Sequence, residues 1–146
     1  MRFDQLIIRD RKKDDYQFIH DLTRENMGES FAKYWGGWNE AVFKKGYETG
    51  IFKVAEFKGR KIGFFCYEVK FSDHVFIWNL QVSTSMQNQG IGTYLMKFIE
   101  NEVKPTTNKI RLRVFKDNPA LRLYRRLGYT KQIKDEGPSI ILEKEI

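Results

Sequence analysis

Hydrophobic and polar positions follow two periods along the chain, and the switches between them predict its elements. Leu6-Ile7-Ile8-Arg9 reads as a short opening strand, and Phe18, Ile19 and Leu22 then recur at helical spacing behind Asp14 or Asp15, either of which can cap that helix. Residues 29–47 keep helical spacing but carry Gly36-Gly37 and a dense aromatic set, Phe31, Tyr34, Trp35, Trp38 and Phe43, which predicts a broken second helix. Residues 51–57 and 61–70 are apolar or alternating runs around Lys58-Gly59-Arg60, the pattern of a hairpin, and residues 74–82 give a further strand.

Ile91, Leu95, Phe98 and Ile99 return to the helical period, and Pro105 stops that helix soon after Val103. Residues 110–114 alternate as a half-buried strand. Asn118-Pro119 then supplies a cap followed by proline at the first helical position; Ala120, Leu123, Tyr124 and Leu127 share a face, and Gly128 ends the helix. Residues 129–134 and 139–143 close the chain as strands. The order is mixed α/β around a central sheet. No repeat, low-complexity tract or linker interrupts it, so residues 1–146 are expected to form one domain.

Composition narrows the chemistry. With 41% hydrophobic, 15% aromatic and 31% charged residues the 146-residue chain has the profile of a folded globular protein. Cys66 is the only cysteine, which excludes an internal disulfide and a cysteine-based metal cluster, and its place in an apolar run makes it a small buried hydrophobe. His20 and His74 have no second ligand at metal-site spacing, so no metal is expected. The start of the chain lacks the apolar core of a signal peptide, and no apolar run approaches the roughly 20 residues that span a bilayer, so the expectation is a cytoplasmic protein with no membrane partner. The net charge of +7 is spread along the chain with acids interleaved, as in Lys12-Lys13-Asp14-Asp15, and no nucleic-acid-binding motif accompanies it; no nucleic-acid partner is expected.

The segment Gln87-Asn88-Gln89-Gly90-Ile91-Gly92-Thr93 lies between a predicted strand and a predicted helix, where unpaired backbone N–H groups and the helix dipole favour an anion. Gly90 and Gly92 would let a pyrophosphate approach the main chain and Thr93 would add a donor, although glycines at such a place also serve a tight turn. Neither the Gly-Lys-Ser/Thr ending of a P-loop nor the three glycines of a dinucleotide fingerprint is present. The stretch from Ile77-Trp78-Asn79-Leu80-Gln81-Val82 through Gln87-x-x-Gly90-x-Gly92 resembles the acetyl-CoA-binding motif of the GNAT superfamily of N-acetyltransferases. Asn118-Pro119-Ala120-Leu121-Arg122-Leu123-Tyr124 through Gly128-Tyr129 resembles a second segment of that family, downstream of the first.

The resemblance implies a GNAT-like acyl-CoA N-acyltransferase fold, a twisted mixed sheet flanked by helices with a β-bulge and splayed central strands. It implies acetyl-CoA as donor, held by Leu80, Gln81 and Val82, by residues 87–93 (Gln87, Asn88, Gln89, Gly90, Ile91, Gly92 and Thr93) and by Asn118. It makes Tyr124 the acid that protonates the leaving thiolate, with core packing as the other reading of its helical face. It places Phe31, Tyr34, Trp35 and Trp38 at the wall of the acceptor pocket, where packing is again the alternative. The general base stays unassigned: Asn79 and Arg113 stand where many relatives carry glutamate, and Glu68, Asp73 and Asp117 are open. Lys97, Arg125 and Arg126 are open as partners of the cofactor's 3'-phosphate. The implied activity is direct acetyl transfer to a primary amine of a small molecule or peptide in a ternary complex. A catalytically weak acyl-CoA sensor is the alternative. The acceptor is not named by the sequence, and a homodimer is left open.

Overall fold

Seven strands make one sheet in the order β1-β2-β3-β4-β5-β7-β6, where β1 is Leu6–Asp10, β2 Ile51–Phe57, β3 Arg60–Glu68, β4 Val75–Val82, β5 Lys109–Phe115, β6 Lys131–Asp135 and β7 Ser139–Glu145. The structure, a computed structural model, describes residues 2–146. Every neighbouring pair is antiparallel except β4 and β5, which run parallel. The β2–β3 hairpin turns on Lys58 and Gly59 with φ of 52° and 77°, the left-handed pair that matches the twist of the flanking strands.

Helices cover both faces. Ile19 and Leu22 of α1 (Tyr16–Tyr34) join Phe52, Val54, Phe64 and Cys66 in one cluster, against which Phe43 and Tyr47 of α2 (Glu40–Thr49) pack. On the opposite face Leu95, Met96, Ile99 and Val103 of α3 (Ile91–Val103) close over Phe65, Tyr67, Val75, Ile77, Ile110, Leu112 and Ile140. Because consecutive β3 residues feed opposite clusters, residues 62–68 are buried without alternation, as expected for a strand covered on both sides. Each fully buried Leu, Ile or Phe contributes roughly 1.5–3 kcal/mol relative to an exposed one. Helix α4 (Ala120–Arg126) lies against β5.

Three sequence expectations shift. The first helix does not end before Glu29; it continues through Gly28, where a side chain would have met no clash, to Tyr34, and the break falls at Gly36 and Gly37 with φ of 79° and 117°. Asn39 then caps α2 by accepting the Val42 N–H at 3.1 Å. Asp15 does not cap α1. It accepts the Lys12 N–H at 2.6 Å and sits fully buried between Arg9 and Lys61, each at 2.8 Å. The Arg9 guanidinium holds this carboxyl well below the usual range, against the opposing effect of burial. Finally, β6 begins at Lys131, because Tyr129 is buried and its hydroxyl donates to Glu100 at 2.9 Å.

Candidate active site

The parallel pair β4–β5 holds together over only three residues, Val75 with Ile110, Phe76 with Arg111 and Ile77 with Leu112. Immediately beyond, Cys66 of β3 faces Asn79 while Tyr67 faces Ile77, so Trp78 is an extra residue, a bulge in β4. From there the two strands separate. The edge of β4 that a neighbour would have paired, from Trp78 to Val82, turns its backbone groups into the gap. A groove of about 1350 Å³ runs along the opening. The bulge and the splay are those the sequence resemblance implied.

One end of the groove is built by backbone. Asn88 and Gly90 adopt φ of 62° and 83°, and Gly90 caps α3, whose first N–H groups have no carbonyl partner within the helix. Successive amides turned inward in this way form an anion-binding concavity at the positive end of a helix dipole. Gln87 fastens the loop to β4 by donating Nε2–H to the Val82 carbonyl at 3.0 Å. A Cβ on Gly90 would come within 3.2 Å of the Phe3 ring, and one on Gly92 within 3.2 Å of Leu123 Cδ2. Gly90 is therefore required by its left-handed backbone, whereas a side chain at Gly92 would crowd the tip of Leu123 on α4, a packing reason that the sequence alone does not supply.

Helix α4 forms the adjoining wall. Asn118 accepts the Ala120 N–H at 2.9 Å, and Pro119 already has helical dihedrals, φ −55° and ψ −26°. Tyr124 reaches the groove from a half-buried position beside Tyr129. Desolvation pushes its phenol up to about 12, so it holds its proton across the neutral range. Arg122 and Arg126 line the same wall, one turn apart; Arg125 and Lys97 do not reach it.

The wall on the α1 face is a polar ladder above aromatics. Thr23 donates to the Ile19 carbonyl at 2.8 Å and accepts from Asn79 Nδ2 at 3.0 Å; Asn79 accepts from Gln81 Nε2 at 2.9 Å, and Asn26 donates to Gln81 and to the Val82 carbonyl, both at 3.1 Å. This ladder pins α1 to the bulged strand. Phe31, Trp35, Trp38, Phe43 and Phe115 line the groove beside it. Phe31 stacks on Trp35 at 4.8 Å, and Trp35 leans on Phe115 at 4.9 Å.

Of the residues singled out from sequence, Leu80, Gln81, Val82, Gln87, Asn88, Gly90, Ile91, Gly92, Thr93, Asn118, Tyr124, Phe31, Trp35 and Trp38 come together around this one groove. Gln89 and Tyr34 do not line it; the Tyr34 hydroxyl bonds to Asp117 instead, and its ring stacks on Phe115 at 5.1 Å. None of Glu68, Asp73 and Asp117 faces the groove, whose one acidic lining residue among the described residues is Glu25. Cys66 is buried with its thiol pushed up to about 12, by burial and then by Glu68, which removes it as a nucleophile. Thr23, Asn26, Arg122 and Phe115 were not singled out from sequence. The three-residue spacing of Thr23 and Asn26 on one helical face was the available signal for the ladder.

A strand pair that parts at a bulge, with an amide cradle at one end and a protonated phenol beside it, defines a groove for an elongated anionic ligand. The family described as the acetyltransferase (GNAT) domain matches residues 48–131, more than half of the chain, and the chain belongs to that family. The protein is an acetyltransferase, and solved structures share its fold across nearly its full length. A GNAT family acetyltransferase from Elizabethkingia anophelis with acetyl-CoA bound is similar with a TM-score of 0.75 and 19% identity over 98% of this chain and 99% of that one. The PaiA N-acetyltransferase from Thermoplasma acidophilum, in complex with coenzyme A, gives 0.77 and 18% over 97% and 99%. The ribosomal-protein-S18-alanine N-acetyltransferase from Escherichia coli gives 0.73 and 22% over 97% and 94%. No curated protein sequence matches.

Proposed function

We propose that the protein transfers the acetyl group of acetyl-CoA to a primary amine by direct attack, with both molecules in the groove together. The single observation that carries this reading is the early parting of β4 and β5, which leaves a backbone edge from Trp78 to Val82 facing open space between an amide cradle and Tyr124. The residues fit acetyl-CoA: amides at Asn88–Thr93 suit the pyrophosphate, Arg122 and Arg126 suit further phosphate, and the freed edge of β4 suits the pantetheine amides.

When bound, acetyl-CoA supplies an activated acyl group. The backbone N–H groups of β4 near Leu80 orient the thioester carbonyl and stabilise the negative charge that grows on its oxygen. A new N–C bond forms as the C–S bond breaks. Tyr124 gives its proton to the departing sulfur, and the amine loses one proton, for which Glu25 is the carboxylate at hand on the groove lining. Asn26, Asn79 and Gln81 hold the bulged strand in place while this happens.

The test is calorimetric titration with acetyl-CoA, followed by a panel of amines with free CoA release monitored. Saturable binding at one site per chain and release with one amine class is the expected result. Absence of binding overturns the reading.

A further inference from the structure

At the apex of the splay, Trp78 and Arg113 are the first residues of β4 and β5 beyond the last paired positions, Ile77 and Leu112, and both line the groove. The Arg113 guanidinium lies 5.8 Å from the ring centres of both Phe76 and Trp78. Its Nε and Nη2 bond to the two oxygens of Glu136 at 2.6 and 3.1 Å, which fixes the plane of the fork and leaves Nη1 without a partner among the described residues. Side-chain alternation puts Phe115 on the same face of β5, about 7 Å further along. Phe115 is the residue on which Trp35 leans, and Trp35 and Trp78 are 52% and 44% exposed inside the groove. Two half-exposed indoles, Trp35 stacked on Phe31 and Trp78 tilted against Phe76, are an apolar surface open to a flat group.

Arg113, Arg122 and Arg126 are the cations of the lining, and the last two are taken by the phosphates of the donor. Arg122 and Arg126 belong to the wall of α4 beside Tyr124, which leaves Arg113 as the cation on the α1 face of the gap.

Building on the function proposed above, we infer that the acceptor is an α-amino acid with an aromatic side chain. Its carboxylate would meet the free edge of Arg113, its ring would lie against Trp35, Trp78 and Phe115, and its amine would stand at the apex of the splay. A fixed guanidinium recognises a carboxylate by directed, charge-assisted hydrogen bonds, which an acceptor that lacks a carboxylate cannot make. Arg113 is a specificity-determining residue in this arrangement, and Glu136 is its positioning partner.

The experiment pairs L-phenylalanine with phenethylamine, which lacks only the carboxylate, and adds spermidine and a lysine-containing peptide. It reads steady-state CoA release and, independently, quenching of tryptophan fluorescence in the CoA-bound protein. The expected result is a KM and a Kd for phenylalanine about tenfold or more below those for phenethylamine, the size of one lost charge-assisted bond. Arg113→Met is expected to abolish that preference and Arg113→Lys to retain part of it, both with the acetyl-CoA Kd of the parent, which shows that the groove stays folded when the pair with Glu136 is lost. Trp35→Ala is expected to raise KM for both aromatic acceptors. Transfer to spermidine or peptide in preference to phenylalanine, or equal losses for both aromatic acceptors in Arg113→Met, would overturn the inference while leaving acetyl transfer standing. Failure to bind acetyl-CoA would overturn both.

Discussion

Tyr124 illustrates how one side chain serves two ends. Its ring packs beside Tyr129 with the core of α3, yet its hydroxyl belongs to a residue that lines the groove. Removing the oxygen alone separates the two. Tyr124→Phe is expected to lower kcat by about a hundredfold or more, the usual contribution of a placed proton donor, with little change in acetyl-CoA affinity; calorimetry and CoA release measure the two quantities separately. From sequence this tyrosine was legible only through its motif, since its helical spacing equally suits a core residue. Arg113 was legible only as a departure from the family pattern, because its role depends on Trp78 and Phe115, which the fold brings to it. Asp15 read as a helix cap, but its partner Lys61 lies on a strand 46 residues later in number, beyond any local rule. Asp15→Asn is expected to cost about 3 kcal/mol in denaturant unfolding, since the buried carboxylate that two partly buried cations share loses its charge. The stabilisation follows the sign of a depressed carboxyl: it is fully present above the unfolded value near ~3.9 and fades as pH falls below it.

At the scale of elements, hydrophobic periodicity located the helices and strands because burial on one or both faces dictates it. It set the α1–α2 break too early, because residues 29–47 keep a helical spacing of their own, whereas the left-handed backbone that ends α1 falls at Gly36 and Gly37. The corner that follows is closed by His20 of α1, whose ring nitrogens stand 2.9 Å from Asp21 and from Glu40 at the start of α2. Burial lowers the affinity of this imidazole for a proton, but its two carboxylate partners prevail and raise its pKa above the ordinary value. Arg24 also approaches Glu40, at 3.7 Å, and the remaining neighbours of the ring, Tyr16, Trp38 and Phe43, are aromatic. A raised histidine stabilises the folded state fully below about pH 6.5, and the contribution disappears as pH rises through the raised value. The melting temperature of His20→Gln is therefore expected to fall furthest below that of the parent in acid and to approach it in alkali. At the cradle, Gly90→Val forces a branched side chain into a left-handed backbone against Phe3, and a loss of acetyl-CoA affinity by titration is the expected outcome.

For the molecule as a whole, the two faces of the sheet keep separate cores; the core under α3 runs across the β4–β5 seam, and the groove opens where the strands themselves part. The sheet order was not legible in the sequence: nothing local says that β7 inserts between β5 and β6, a choice made by the burial of Ile140 and Leu142 against α3. The bulge in β4 was legible only through the family resemblance, since an extra residue does not disturb an apolar run. What the family motif conveyed was the outcome of these choices, the splayed pair, without their cause.

That splayed pair leaves the sheet nearly in two. Strands β1–β4 on one side and β5, β7 and β6 on the other share three residue pairs of strand hydrogen bonding, so the seam is the natural place for the molecule to breathe. A ligand spanning it acts as a suture. Amide hydrogens of Leu80 and Val82, which alternate away from β3 into the gap, are accordingly expected to exchange with solvent deuterium far faster than that of Gln81, which pairs with β3, and to slow sharply when acetyl-CoA is added. Saturation at a hundred times Kd would add about 2.7 kcal/mol to global stability, and the slowing should extend to β5, which the ligand stitches to its neighbour.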